Sequence, residues 1–265
     1  LTTGRLKNKN IVITGASSGI GLSIASLCAE RGANLVLLAR RLDILEQIKQ
    51  DLEEHFSVNV QVYKLDVSNS EEVKAVFSKL LKEHSTIDVL VNNAGFGVFR
   101  AAHEVAMEDV KGMFDVNVVG LIACTTSVLP LMRQQRKGHI INIASQAGKI
   151  ATPKSSVYSA TKHAVLGYTN SLRMELSDFN VSVTAVNPGP IETDFHSIAD
   201  ESGTYVKSVE RFILKPDFVA RKVVDRMLTN TREINLPRWM NVGSILFALF
   251  PSLFERVGKK ALNKK

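Results

Sequence analysis

Short unbroken apolar runs alternate with stretches of helical periodicity along nearly all of this 265-residue chain, and that alternation leaves few architectures open. Ile11-Val12-Ile13, Leu35 to Leu38, Val60 to Leu65, Val89-Leu90-Val91, His139 to Ile143, Val181 to Val186 and a stretch around Glu233 to Leu236 read as seven strands. Between them apolar residues recur every three or four positions, as in Ile20, Ile24, Leu27 and Cys28, or Val73, Val76, Phe77 and Leu80. Strands without polar alternation belong to sheets buried on both faces. Strands separated by helices mean right-handed βαβ units and a parallel sheet. The expected fold is α/β, a three-layer doubly wound parallel sheet of about seven strands forming a single domain. Its core covers residues 5–236, with a C-terminal helical extension at 237–265.

Ligands of such sheets bind beyond the carboxyl ends of the strands, where Thr14, Asp66 and Asn92 fall. After the first strand, Gly15, Ser17, Ser18, Gly19, Ile20 and Gly21 form a glycine-rich turn into a helix. Glycines there let a pyrophosphate approach bare backbone at a helix N-terminus, whose free N–H groups favour anions. The order G-x-x-x-G-x-G differs from the commoner G-x-G-x-x-G but serves the same geometry. At the end of the second strand an acid would bind the 2′-hydroxyl of NAD; Arg40 stands there instead, with Arg41 as a helper, and points to the 2′-phosphate of NADP. The competing reading is that both arginines merely open a solvated helix.

Asp109 to Met132 reads as one long helix stopped around Pro130, with Asn117 inside it, where an exposed asparagine costs little. Ser145 follows the fifth strand. Tyr158 and Lys162 then lie one turn apart on a helix running to about Leu176, so an ammonium can sit beneath a phenol. A fixed cation favours the phenolate and tunes tyrosine toward acid and base work near neutral pH. Taken alone, Y-x-x-x-K arises by chance on many solvated helices.

T-G-x-x-x-G-x-G at Thr14 to Gly21, N-N-A-G at Asn92 to Gly95, Asn117, Ser145, Y-x-x-x-K at Tyr158 to Lys162 and P-G-P-x-x-T at Pro188 to Thr193 resemble, in order and spacing, the short-chain dehydrogenase/reductase family. The resemblance spans roughly residues 8 to 236. It implies hydride transfer between a nicotinamide, NADP rather than NAD, and the carbonyl or alcohol carbon of a small molecule, in a homodimer or homotetramer. By the same resemblance Tyr158 exchanges the proton, Ser145 orients the carbonyl, Lys162 binds the nicotinamide ribose and lowers the tyrosine pKa, and Asn117 holds a water. Asp66 would touch adenine, Asn93, Ala94 and Gly95 would back the adenine ribose side, Ile191 with Thr193 would fix the carboxamide, and Val67, Pro188 and Gly189 would also line the cofactor. Members that reduce 3-oxoacyl thioesters end in a glycine-paired stretch after the seventh strand. Here Pro237-Arg238-Trp239-Met240-Asn241 follows, an ending that looks more like the hydroxysteroid-dehydrogenase-like and DltE-like members.

Composition narrows the alternatives. Six histidines and two distant cysteines show no metal-ligand spacing, and the cysteine pattern suits a reduced, cytoplasmic interior. No run approaches the roughly 20 apolar residues of a membrane span. Net charge is +7, of which Glu255 to Lys265 carries five basic residues against one acid. Without interleaved aromatics this does not read as a nucleic-acid site. Val242 to Phe254 is apolar and is expected to cover the cleft or pack on another subunit, with weak peripheral contact to a membrane surface as the alternative. Residues 189–215 are long for a connection and suit a substrate lid, with His196 and Tyr205 as lining candidates. Against the enzyme reading stands a catalytically silent NADP-binding regulator, or a membrane-peripheral scaffold, of the same fold.

Overall fold

The computed structural model describes residues 4–193, 199, 212–252 and 256. All seven expected strands form: β1 (Asn10–Thr14), β2 (Asn34–Ala39), β3 (Val60–Lys64), β4 (Val89–Asn92), β5 (Gly138–Ile143), β6 (Val181–Pro188) and β7 (Glu233–Leu236). They make one sheet in the order β3-β2-β1-β4-β5-β6-β7, with every neighbouring pair parallel. The order reverses between β1 and β4, which opens a crevice at their carboxyl ends.

Successive side chains alternate between two cores. Ile11, Ile13, Leu35, Leu37, Val89 and Val91 face the layer of α1 (Gly19–Glu30) and α2 (Leu42–His55). Val12, Val36, Leu38 and Leu90 face the opposite layer of α3 (Ser70–Glu83) and the helices that follow it. Each such side chain, once fully buried, contributes about 1.5–3 kcal/mol. This two-sided burial is why the strands carry no polar alternation.

The long helix differs from expectation. It runs from Met107 to Gln135 as α4 (Met107–Phe114), a π-helical stretch at Asp115–Gly120 and α5 (Leu121–Gln135). Pro130 sits inside α5 and does not end it, because Val128 and Met132 on either side are fully buried and hold the helix onto the core. The helix ends instead at Arg136, whose φ of 49° is left-handed. With a mean hydropathy of 1.6 over its most apolar window, this 29-residue run is also long and apolar enough to cross a bilayer, which counting consecutive apolar residues did not show. One face of it, with Met113, Cys124, Val128 and Met132 fully buried, packs into the core.

Beyond it come α6 (Ser156–Glu175), α7 (Pro216–Val224), which packs on α1, and α8 (Arg238–Leu249). Within the single chain, α8 turns most of its large apolar residues outward. Of the lid segment only Gly189–Thr193, Ala199 and residues from Phe212 onward are described; His196 and Tyr205 lie outside the described residues.

Candidate active site

The turn after β1 requires its glycines. Gly15 and Gly19 have φ of +65° and +57°, and a Cβ on Gly21 would lie 2.4 Å from the Gly15 carbonyl oxygen. Ser18 caps α1 without a side-chain bond, and no acid stands in the first turn, so N–H groups and helix dipole face the turn uncompensated by side chains. Arg41 reaches back over it, Nη2 donating to Ser17 Oγ at 3.0 Å and Ser18 Oγ at 3.1 Å. Arg40 and Arg41 are both exposed, and these bonds make the arginine lying on the turn the one the sequence made a helper. Open N–H groups, a tight glycine cradle and a guanidinium suit the phosphates of a dinucleotide.

Thr14 and Asn93 clamp this turn to the end of β4. Thr14 Oγ1 accepts from the N–H groups of Asn93 and Ala94, and Asn93 Nδ2 donates to the carbonyls of Thr14 and Gly15 at 3.0 Å. The Asn93 amide and both N–H groups are thus spent on bracing. Asp66 Oδ1 accepts from the backbone and hydroxyl of Ser68, and Val67 is buried beside it. On the far side, Ile191 pairs with Leu214, and the methyl of Thr193 would be 3.2 Å from a Cβ on Gly19. The Pro188–Thr193 segment therefore returns to the phosphate turn, with Pro188 and Gly189 at its base.

Tyr158 and Lys162 are both buried on α6. Lys162 Nζ lies 5.7 Å from the centroid of the Tyr158 ring and donates to the Ile143 carbonyl at 2.9 Å. Burial pushes the lysine pKa down from 10.5 to about 8. Ser145 is fixed between two strand ends: its Oγ accepts from Ala147 N–H at 3.1 Å and donates to the Pro188 carbonyl at 3.4 Å. Asn117 is buried rather than exposed. Its Oδ1 accepts from Phe96 N–H, and its Nδ2 donates to the Phe96 carbonyl and to Thr161 Oγ1, which in turn donates to the Tyr158 carbonyl. Both ends of the amide thus carry protein partners, with a second lone pair remaining on Oδ1.

Sequence reasoning missed several participants. Phe99 and Tyr158 meet edge to face at 5.6 Å between centroids; nothing in the sequence marks Phe99. Thr161 sits inside Y-x-x-x-K, three residues past the tyrosine, and that spacing was the available signal. Lys149 donates to Glu233, Asn235 and Asn241, tying the turn after Ser145 to β7 and α8. Among the described residues no cluster of metal-ligating side chains occurs. Cys28 and Cys124 are buried with pKa values pushed up to about 12, far from a reactive thiolate. A groove of about 390 Å³ along α5 and the end of α6, lined by Leu129, Pro130, Arg133 and Phe179 among others, shares none of these site residues.

Fold and site together define a nicotinamide-dinucleotide-dependent oxidoreductase working between CH–OH and C=O groups. Residues 9–202 match the profile of the short chain dehydrogenases, and the chain belongs to that family. It is 40% identical over 193 residues to an NADP-dependent 3-hydroxy acid dehydrogenase of Schizosaccharomyces pombe, covering 72% of this chain and 74% of that one. Among solved structures it resembles an alcohol dehydrogenase of the archaeon Thermococcus sibiricus complexed with 5-hydroxy-NADP, at 31% identity and a TM-score of 0.78, covering 87% of this chain and 95% of that one. A short-chain dehydrogenase/reductase of Burkholderia phymatum in complex with NAD is similar at 26% identity and a TM-score of 0.84, covering 94% and 95%.

Proposed function

We propose that this chain is an NADP(H)-dependent reductase of a medium-sized apolar ketone or aldehyde, with the reverse alcohol oxidation open to the same site, and that it works as a homodimer or homotetramer. The observation that carries the chemistry is the buried Lys162 ammonium beside the Tyr158 ring. When bound, the dinucleotide supplies or accepts the hydride. Tyr158 Oη gives a proton to the carbonyl oxygen as it becomes a hydroxyl, and takes it back in the oxidative direction. Ser145, held at two strand ends, orients the same oxygen by turning its single hydroxyl proton from the Pro188 carbonyl toward it. Lys162 favours the phenolate and has N–H groups to spare for ribose hydroxyls, since one is bonded to Ile143. Asn117 keeps Phe96 and Thr161 in place under that pair.

Arg41 on the phosphate turn supports NADP, as does the NADP-dependent relative. Phe99 against Tyr158 supports an apolar substrate. The experiment is NADPH oxidation across aldehydes, ketones and diketones, with NADH in parallel and Tyr158→Phe as control. Turnover that survives this substitution would sink the mechanism.

A further inference from the structure

The apolar side of α8 points the wrong way for a helix in water. Trp239, Val242, Ile245, Leu246, Leu249 and Phe250 are each at least half exposed, and their spacing of three, three, one, three and one places them on one stripe. The opposite face carries Met240 against Gly189, the buried Ser244, and Asn241, which accepts from Lys149. Phe212, itself 45% exposed, meets Trp239 edge to face at 5.2 Å and widens the patch. Water-facing monomers rarely keep a contiguous apolar surface of this kind without a partner.

Charge selects the partner. Residues 237–265 contain six basic residues, Arg238, Arg256, Lys259, Lys260, Lys264 and Lys265, and one acid, Glu255. A second copy docked symmetrically on this face would bring the exposed Arg238 of α8 toward its own counterpart. An anionic bilayer offers apolar depth for the stripe and negative headgroups for basic residues beside it. From this geometry we infer that α8 is a docking surface for anionic lipid membranes, with Trp239 seated at the interface. Because α8 packs on β7 and on the turn after Ser145, docking sets the substrate side of the cleft beside the lipid, a consequence that rests on the proposed reductase reading.

The test reads binding, not turnover, so it stands apart from the enzymatic assignment. Trp239 is the chain's one tryptophan, and its emission reports this face directly. The full chain is floated with phosphatidylcholine vesicles with and without phosphatidylglycerol. The expected result is flotation and a blue shift of Trp239 with anionic vesicles, at least about ten-fold weaker binding to neutral ones, and loss of both in an Ile245→Ser, Leu249→Ser double variant that still binds NADPH. Absence of flotation and blue shift in the unaltered chain overturns the inference, as does equal flotation of the double variant. A chain that ignores vesicles but loses solution mass on the double substitution assigns the face to a second copy.

Discussion

Asn117 holds both backbone groups of Phe96 at once, accepting from its N–H at 2.9 Å and donating to its carbonyl at 2.8 Å. A buried amide so placed substitutes for a strand partner and fixes the loop leaving β4 over the site. Asn117→Ala strands both groups and should destabilise the fold by about 2–3 kcal/mol, read as a lower urea midpoint. An unchanged midpoint would mean that water takes over both bonds.

Tyr158→Phe removes only the hydroxyl from a ring still packed by Phe99. Carbonyl reduction should fall by about 10²–10⁴-fold while NADPH binding, followed by its fluorescence, stays as it was.

Arg41→Ala should weaken NADPH binding by about 10–100-fold, the worth of a charge-assisted hydrogen bond, and leave NADH nearly untouched. Arg40→Asp should have the smaller effect, because Arg40 does not reach the serines of the turn. Equal losses for the two cofactors would remove Arg41 from the 2′-phosphate site. Titration with each cofactor decides the matter.

The contrast between Arg40 and Arg41 shows where sequence stops. Strand positions, the phosphate turn and the spacing of Tyr158 and Lys162 were legible because apolar runs, glycines and a four-residue interval each have one cheap structural solution. Which of two adjacent arginines folds back over a loop depends on the exit angle of β2, which no local pattern encodes. Asn117 was visible as a residue but not as a buried one, since polarity predicts exposure and only the Phe96 loop, 21 residues away, overrules it. Phe99 meets Tyr158 through tertiary placement alone. The extension was recognised as apolar, yet the side that faces out follows from Met240 and Ser244 fitting against Gly189 and the sheet edge.

Lys162 is destabilising where it stands. Its pKa falls from 10.5 in the unfolded chain to about 8 in the fold, so between those values the unfolded state holds more protons and stability rises with pH. Below pH 8 the buried ammonium costs about 3 kcal/mol. Lys162→Met should therefore abolish turnover while raising stability at pH 7 by about 1–2 kcal/mol, after the lost bond to Ile143 is counted. That gain should shrink toward pH 10 in urea titrations.

His139 is fully buried on β5, its Nδ1 accepting from Leu228 N–H and its Nε2 facing Thr184 Oγ1, which makes it a neutral imidazole. Burial first, and the charge of Arg5 second, push its pKa from 6.5 down to about 4. The unfolded chain takes up a proton below pH 6.5, so this stability is full above that value and drains as pH falls toward 4. A loss of about 2 kcal/mol by pH 5 is expected from this group. His139→Gln should flatten the difference between urea titrations at pH 7 and pH 5.

The π-helical stretch between α4 and α5 is a matter of phase. An α-helix turns about 100° per residue, and a wider turn lets the chain carry one residue more before regular winding resumes. Asn117 lies inside that stretch facing Phe96, and Gly120 closes it with no room for a side chain, since a Cβ there would stand 2.6 Å from the Val67 carbonyl. Deleting Asp115, Val116, Val118 or Val119 would leave a more regular helix with both Asn117 and Gly120 still present. It would also swing either the amide or the glycine about a quarter turn away from its partner, so the site depends on that one extra residue as much as on the identity of its neighbours.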